Sequence, residues 1–343
     1  MKKILVSALE PSANLHLKPI LEKLGSYELA GIFDEEFGNP LFRSKEFSVM
    51  GFLDIFAKLK SAKKAIDKMA DLSLKASHVL LIDSPAFNLP LAKKIRKINK
   101  DIPITWYILP KVWAWKPKRA AKVEKYCTNL ASIFPFEERF YTRSIYVGNP
   151  LLDEIKQTKK NLENSGEIVF MPGSRKSEIK SLMSVFKEVA ANLNKKNIIV
   201  IPKHFNSQEI DALYGDLSGF TISNNAHESL LSAEFAFICS GTATLEAAII
   251  GTPLALCYKA KALDYFIAKR FVKLKFAGLA NIIFDFYRHD ALHKEFLQES
   301  VTAQNLIKEY HDMDKNRYFA HAQKLKEILA HGSSQEVAKI IGV

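Results

Sequence analysis

Two short stretches of this chain combine glycine, small hydroxyl residues and a helix start in the way a phosphate site requires. After the apolar run at 235–239 comes Ser240-Gly241-Thr242-Ala243-Thr244, leading into a helical pattern through Ile250. Gly241 lets main chain approach a ligand closely, and the hydroxyl residues add donors around the small Ala243. The first amides of a helix have no partner within it, and together with the helix dipole they favour an anion. Glu246 lies a turn further in, placed to accept hydrogen bonds from ribose hydroxyls. The second stretch, Pro172-Gly173-Ser174-Arg175, follows the apolar run at 167–171. There Gly173 opens the turn, Ser174 can cap, and Arg175 can set a guanidinium fork against a phosphate. Each stretch also has a purely structural explanation: Thr242 as an ordinary N-cap, and Arg175 as a surface partner of Glu178. Two such turns together are harder to explain that way than one. The chain has no GxxxxGK[ST] loop and no intact GxGxxG fingerprint, which argues against a P-loop NTPase and a dinucleotide redox enzyme.

Asp83 follows the buried run at 78–82, at a sheet end facing a cleft. A carboxylate there can take a proton from a hydroxyl, the more so if burial raises its pKa. Organising the turn before Pro85 through an Asx-type bond explains Asp83 equally well. Glu10, just after the first apolar run, is the second candidate base. No DxD-like carboxylate pair suits Mg²⁺. His289 and His293 share a helical spacing beside Asp290, but such histidines more often lie on a polar helix face. Neither a metal nor another cofactor is expected.

Short β-branched runs that alternate with helical patterns must position these residues. Strands are predicted at 3–8, 28–33, 78–82, 104–108 and 130–134, then at 167–171, 197–201, 220–223, 235–239 and 253–257. Helices are predicted at 52–72 and 89–99. Such alternation implies parallel sheets with helices on both faces. The polar stretch 156–166 separates two sets, so the expected α/β fold is two Rossmann-like domains, 1–155 and 156–343, facing a central cleft. Ligands of open parallel sheets bind beyond the carboxyl ends of the strands, where every motif above falls. The tail from 301 to 343 reads as helices that pack across the domain junction.

The 343 residues include 49 basic and 37 acidic side chains, a net charge of +12 that favours an anionic partner. No signature of a nucleic-acid-binding module accompanies it, so nucleic acid is not expected. Cys127, Cys239 and Cys257 are far apart and are expected to be reduced and buried. The apolar start is broken by Glu10 and Pro11, so it reads as a first strand rather than a signal peptide. The longest apolar region, 235–258, is interrupted by polar residues, glycines and Pro253, and does not read as a membrane span. Residues 51–74 set Phe52 and Phe56 beside Lys60, Lys63 and Lys64. These faces suit a helix on an anionic membrane surface, or equally an amphipathic helix packed on its own core. The basic run Lys116-Pro117-Lys118-Arg119 adds to that attraction. Trp113 and Trp115 are candidates for an acceptor pocket, although buried aromatics are the usual outcome.

The motifs also fall in a recognisable order. Met50-Gly51-Phe52, Asp83-Ser84-Pro85-Ala86-Phe87-Asn88, Pro110-Lys111-Val112-Trp113-Ala114-Trp115 and Phe134-Pro135-Phe136-Glu137 occupy the first half. Gly148-Asn149-Pro150-Leu151, Pro172-Gly173-Ser174-Arg175, Ser240 to Glu246 and Glu295-Phe296-Leu297-Gln298 follow. Nearly the whole chain therefore resembles the lipid-A-disaccharide synthases, inverting glycosyltransferases of GT-B architecture. The resemblance implies condensation of UDP-2,3-diacylglucosamine with 2,3-diacylglucosamine 1-phosphate, with release of UDP. It implies a cytoplasmic Gram-negative enzyme at the inner face of the inner membrane, and it admits a homodimer. It places Asn281 near the donor, and Ser12, Asn88 and Asn149 on the acceptor side or in the cleft. The family's Ala-Gly-Glu-x-Ser-Gly-Asp motif is altered here to Ala8-Leu9-Glu10-Pro11-Ser12-Ala13-Asn14, so residue 14 cannot act as a carboxylate. Asn149 stands where the family usually has histidine, and Lys259 where it often has arginine. The rival readings are another UDP-sugar GT-B enzyme, such as a UDP-N-acetylglucosamine transferase or epimerase, and a non-catalytic basic membrane-surface protein.

Overall fold

The apolar runs become the strands of two all-parallel sheets. The computed structural model describes residues 2–44, 55–162, 164–260 and 274–342. The chain divides into one unit of Met1–Glu154 with Leu329–Val343 and another of Ile155–Ile328.

In the first unit the strands are β1 (Lys2–Ser7), β2 (Tyr27–Phe33), β3 (Phe42–Arg43), β4 (His78–Ile82), β5 (Ile104–Tyr107), β6 (Asn129–Ser132) and β7 (Ser144–Tyr146). Their order across the sheet is β3-β2-β1-β4-β5-β6-β7. Winding therefore reverses between β1 and β4, the kind of switch point at which open sheets bind ligands. Ser7 of β1 is level with Leu81 of β4, so Glu10 and Asp83 leave the sheet at neighbouring carboxyl ends. β4 is buried along its whole length, as a central strand covered on both faces must be. The helices α1 (Pro11–Leu21), α2 (Ile55–Leu72), α3 (Pro85–Ile98), α4 (Arg119–Tyr126) and the single turn α5 (Leu151–Glu154) connect these strands or follow them. Leu5, Ile32, Val79, Leu81, Leu91 and Trp106 lie in the buried core between sheet and helices.

The second unit contains β8 (Glu167–Met171), β9 (Lys196–Val200), β10 (Thr221–Ser223), β11 (Phe235–Cys239), β12 (Leu254–Tyr258) and β13 (Lys294–Leu297). Their order, β10-β9-β8-β11-β12-β13, puts the switch point between β8 and β11. Its helices are α6 (Lys176–Asn192), α7 (Ser207–Tyr214), α8 (Ala226–Ser232), α9 (Thr242–Ile250), α10 (Leu279–Phe286), α11 (Ala303–Asp312) and α12 (Lys315–Leu329). Phe170 of β8 stacks on Phe237 of β11 at 5.4 Å, and Phe186 of α6 covers both rings.

The last helix, α13 (Ser334–Gly342), belongs to the first unit. Asp153 caps it, accepting the amides of Ser333 and Ser334 at 2.7 and 2.9 Å and the Ser334 hydroxyl at 2.7 Å. Gly148, at φ +98°, passes so close to this segment that a Cβ would stand 2.3 Å from the Gly332 carbonyl oxygen.

All ten predicted strands are present, with ends within two residues of expectation. The three not anticipated, β3, β7 and β13, are edge strands of two to four residues. An edge strand is covered less and needs no long apolar run, so its sequence carries little signal. The helix predicted from Phe52 is described from Ile55 onward. One expectation is corrected outright: His289 and His293 share no helix, because α10 ends at Phe286 and His293 directly precedes β13.

Candidate active site

Because β8 and β11 are neighbours, the two glycine turns leave the second sheet side by side. Gly173 has φ +107°, and a Cβ there would stand 2.6 Å from Glu178 Oε2 and 3.2 Å from Cys239 Sγ. Cys239 ends β11, so the absence of a side chain at Gly173 is what lets the first turn pack against the second strand. Ser174 and Arg175 are exposed beyond it. The Arg175 amide donates to Glu178 Oε2 at 3.2 Å, and its guanidinium lies 2.9 Å from Glu178 Oε1. The surface pairing left open by the sequence is therefore made. Since the arginine side chain is 78% exposed, such a pair contributes only about 0–1 kcal/mol after solvent screening. A bidentate phosphate contact is stronger, and the pair does not withhold the guanidinium from it.

The cap of α9 is Gly241, in extended backbone, and no side chain caps the helix. This corrects the alternative in which Thr242 is the cap. Thr242 is exposed, while Ser240, Ala243 and Glu246 are half-buried. Thr244 is buried and its hydroxyl donates inward to the Gly241 carbonyl at 2.8 Å, so it tightens the turn and offers no outward donor. Among the described residues, a Cβ on Gly241 would meet no atom within 4 Å. Packing among the described residues therefore does not require glycine here, and the turn is left open to close approach from outside.

At the switch point of the first sheet, Asp83 and Ser84 both lie in the left-handed region, at φ 47° and 42°. Such backbone costs on the order of 1–3 kcal/mol per residue and persists only where its surroundings impose it. Here the imposing group is Asn88, fully buried. Its amide donates to the carbonyls of Ile82 (3.1 Å) and Asp83 (2.8 Å), and its oxygen accepts the Ser7 hydroxyl at 2.6 Å. The Asp83 amide donates to Tyr107 at 3.0 Å, which ties the turn to β5 as well. Burial raises the Asp83 carboxyl above the usual range, opposed by the charge of Lys111, the Ser84 amide and the charge of His16. A half-buried carboxylate of this kind has the basicity to accept a proton from a hydroxyl. Glu10 and Ser12 are exposed at the start of α1.

Several residues expected to face substrate are instead spent inside the protein. Trp113 is buried, donates its indole N–H to Glu137 Oε1 at 3.0 Å and meets Phe136 edge-on at 5.3 Å. Asn149 is buried and links the Ile133 carbonyl (3.2 Å) to the Leu151 amide (3.1 Å). Asn281 is fully buried: its amide donates to the His293 carbonyl (2.9 Å) and Glu295 Oε1 (2.8 Å), and its oxygen accepts the Leu292 amide at 2.8 Å. With Asn88, these amides fix loops from within. Trp115 remains 45% exposed, with the Lys116 ammonium 4.8 Å above its ring. Phe52 and the side chains of Phe56 and Lys60 lie outside the described residues. Lys63 and Lys64 are exposed on α2, whose Ala65 and Met69 are buried against the core.

Three groups to which the sequence assigned no role of their own also stand out. His16 Nδ1 lies 2.5 Å from Glu154 Oε1, a partner 138 residues away. Lys111 acts on Asp83 from the neighbouring loop. Glu137, buried with its carboxyl pushed up to about 7 by burial, accepts Trp113 and the amides of Ile133 and Phe134, both at 3.2 Å. The three cysteines are buried and unbridged. Among the described residues no three His, Cys, Asp or Glu side chains converge as a metal site, and no helix is long and apolar enough to cross a membrane.

Solved structures with the same fold include MurG from Acinetobacter baumannii (TM-score 0.59, 14% identity, 99% of each chain). The calicheamicin glycosyltransferase CalG4 aligns with TM-score 0.62 and 14% identity over 99% of this chain and 97% of its own. These likenesses establish GT-B architecture. A family model described as lipid-A-disaccharide synthetase matches residues 4–339. The lipid-A-disaccharide synthase of Campylobacter jejuni serotype O:2 is 48% identical, over 99% of both chains. That of Helicobacter pylori strain G27 is 46% identical, over 98% of this chain and 97% of its own. The chain belongs to the lipid-A-disaccharide synthase family of glycosyltransferases.

Proposed function

We propose that the second unit binds UDP-2,3-diacylglucosamine, that the first binds 2,3-diacylglucosamine 1-phosphate, and that Asp83 is the general base. In the transfer, an acceptor hydroxyl oxygen bonds to the donor's anomeric carbon from the face opposite UDP. Its proton passes to Asp83, and the bond to UDP breaks with the electron pair leaving on the phosphate. Arg175 and the uncapped amides at the start of α9 meet the charge that develops on UDP. Glu10 is the second candidate base, and the inversion follows from attack opposite the leaving group.

The observation that carries this reading is the coincidence of motif and topology. Both anion-friendly turns leave β8 and β11 at one switch point, and the strained Asp83 turn occupies the corresponding point of the other sheet. The exposed lysines of α2, together with Trp115 and Lys116, support work at an anionic membrane surface, where acylated substrates reside.

Incubation with both acylated substrates, followed by mass analysis, tests the proposal. A disaccharide 1-phosphate with one UDP released per disaccharide is expected, and Asp83→Ala should abolish it in a folded protein. UDP binding with no disaccharide formed would favour a non-catalytic protein.

A further inference from the structure

The acceptor in this reading carries a phosphate, and it binds at the sheet end where Asp83 already places a carboxylate. Two like charges brought together at a protein surface repel one another more strongly than in bulk water. Cations placed beside the carboxylate remove that penalty. Lys111 supplies one, and His16 adds an imidazole beside it.

Lys111 lies on the loop that leaves β5, the neighbour of β4. Its main chain is pinned on both sides. The Pro110 carbonyl accepts the Tyr141 hydroxyl at 2.7 Å, Val112 and Trp113 are buried, and Trp113 is tied to Glu137. The lysine side chain between them is exposed. His16 comes from α1, directly after β1, and is held by Glu154 at 2.5 Å. The exits of β1, β4 and β5 are consecutive across the sheet, so the segments that carry His16 and Lys111 leave it on either side of the Asp83 turn. Both charges are felt by the Asp83 carboxyl.

The loops themselves are held in costly shapes. Of the seven non-glycine residues with positive φ among those described, Asp83, Ser84, Ile108 and Lys116 lie in the exits of β4 and β5. Ile108 is the most telling, because a β-branched residue at φ 61° is a true outlier. Strain of this sort gathers where side chains must be aimed.

We infer that Lys111 and His16 form the subsite for the acceptor's phosphate and so set the preference for a sugar 1-phosphate over the same sugar without it. The inference rests on the acceptor assignment above.

Initial rates with 2,3-diacylglucosamine 1-phosphate and with 2,3-diacylglucosamine decide it, measured above the Asp83 titration so that the base stays ionised. Lys111→Gln should lower kcat/KM for the phosphorylated acceptor about 10- to 100-fold more than for the other, the loss expected for a charge-assisted contact. KM for the donor should hold, Lys111→Arg should keep most of the preference, and His16→Gln should erode it in part. Equal losses with both acceptors, or an unchanged preference in Lys111→Gln, would overturn the subsite. Melting curves identify a misfolded variant, in which case Lys111→Arg and His16→Gln carry the comparison. Failure of the unaltered protein to use either acceptor would defeat the acceptor assignment instead.

Discussion

The side-chain amide of Asn14 donates to the main-chain oxygen of Glu10 at 3.0 Å. It also donates to Ala8 at 3.1 Å, while its oxygen accepts the Asp34 amide at 2.9 Å. Every polar atom of this buried side chain thus ties the loop after β1 to the loop after β2. An ionised aspartate would set an oxygen against two carbonyl oxygens. Asn14→Asp, which restores the family's residue, should therefore lower stability by about 1–3 kcal/mol without a gain in rate. The loss should shrink as pH falls and the carboxyl protonates. Melting curves at two pH values check this, and an unchanged midpoint at neutral pH would sink the tethering role.

Gly173 and Gly241 should respond differently to the same substitution. Gly173→Ala forces a Cβ at φ +107° to within 2.6 Å of Glu178 Oε2, so it should destabilise the second unit by about 1–3 kcal/mol. Gly241→Ala meets no described residue within 4 Å, in extended backbone, and should melt normally. Its added methyl stands where the proposed UDP phosphate approaches, so UDP affinity should fall at least tenfold in calorimetric titration. Normal UDP binding by Gly241→Ala would remove that turn from the site.

These contrasts mark what could be read in the sequence. Asp83, Arg175 and the turn at 240–244 each end an apolar run, and a window of about ten residues contains both strand and motif. Direction was not legible. Asn88, Asn149 and Asn281 have the residue type and place of ligand contacts, yet each amide turns inward to satisfy main chain, because a buried loop leaves no carbonyl unpaired. Long-range pairs such as His16 with Glu154 were beyond reach for a plainer reason. Nothing local to either residue signals the other, and only the winding of the sheet unites them.

Asp83 gives a pH prediction with a definite sign. As the proposed base, Asp83 must be ionised to work, and burial raises its carboxyl above the usual carboxylate range. Activity should therefore fall on the acid side, through a pKa higher than that of a free aspartate. Lys111→Gln removes a cation that opposes the shift and should move this limb to still higher pH. Asp83→Asn should cost about 10²–10⁴ in kcat, the range for loss of a general base, with little change in melting temperature. An acid limb that stays in place in Lys111→Gln would show that Asp83 is not the group being titrated.

Glu137 offers the last test, on stability. Its two oxygens accept three donors, from Trp113, Ile133 and Phe134, and burial still pushes its carboxyl from 4.5 up to about 7. A carboxyl that holds its proton more tightly when folded contributes stability that is complete below about pH 4.5 and is lost as pH rises through about 7. Glu137→Gln keeps the shape but turns an amide NH₂ toward a donor, either the indole N–H or the paired main-chain amides. It should cost about 1–3 kcal/mol at acid pH, where the carboxylic acid is at its best. The gap should narrow as pH rises from about 4.5 to about 7 and stay level above that, since only the unaltered protein comes to carry a buried charge. Denaturation midpoints of the two proteins across pH 5–8 check this, and a gap that widened with pH would mean that the Trp113 contact requires the ionised form.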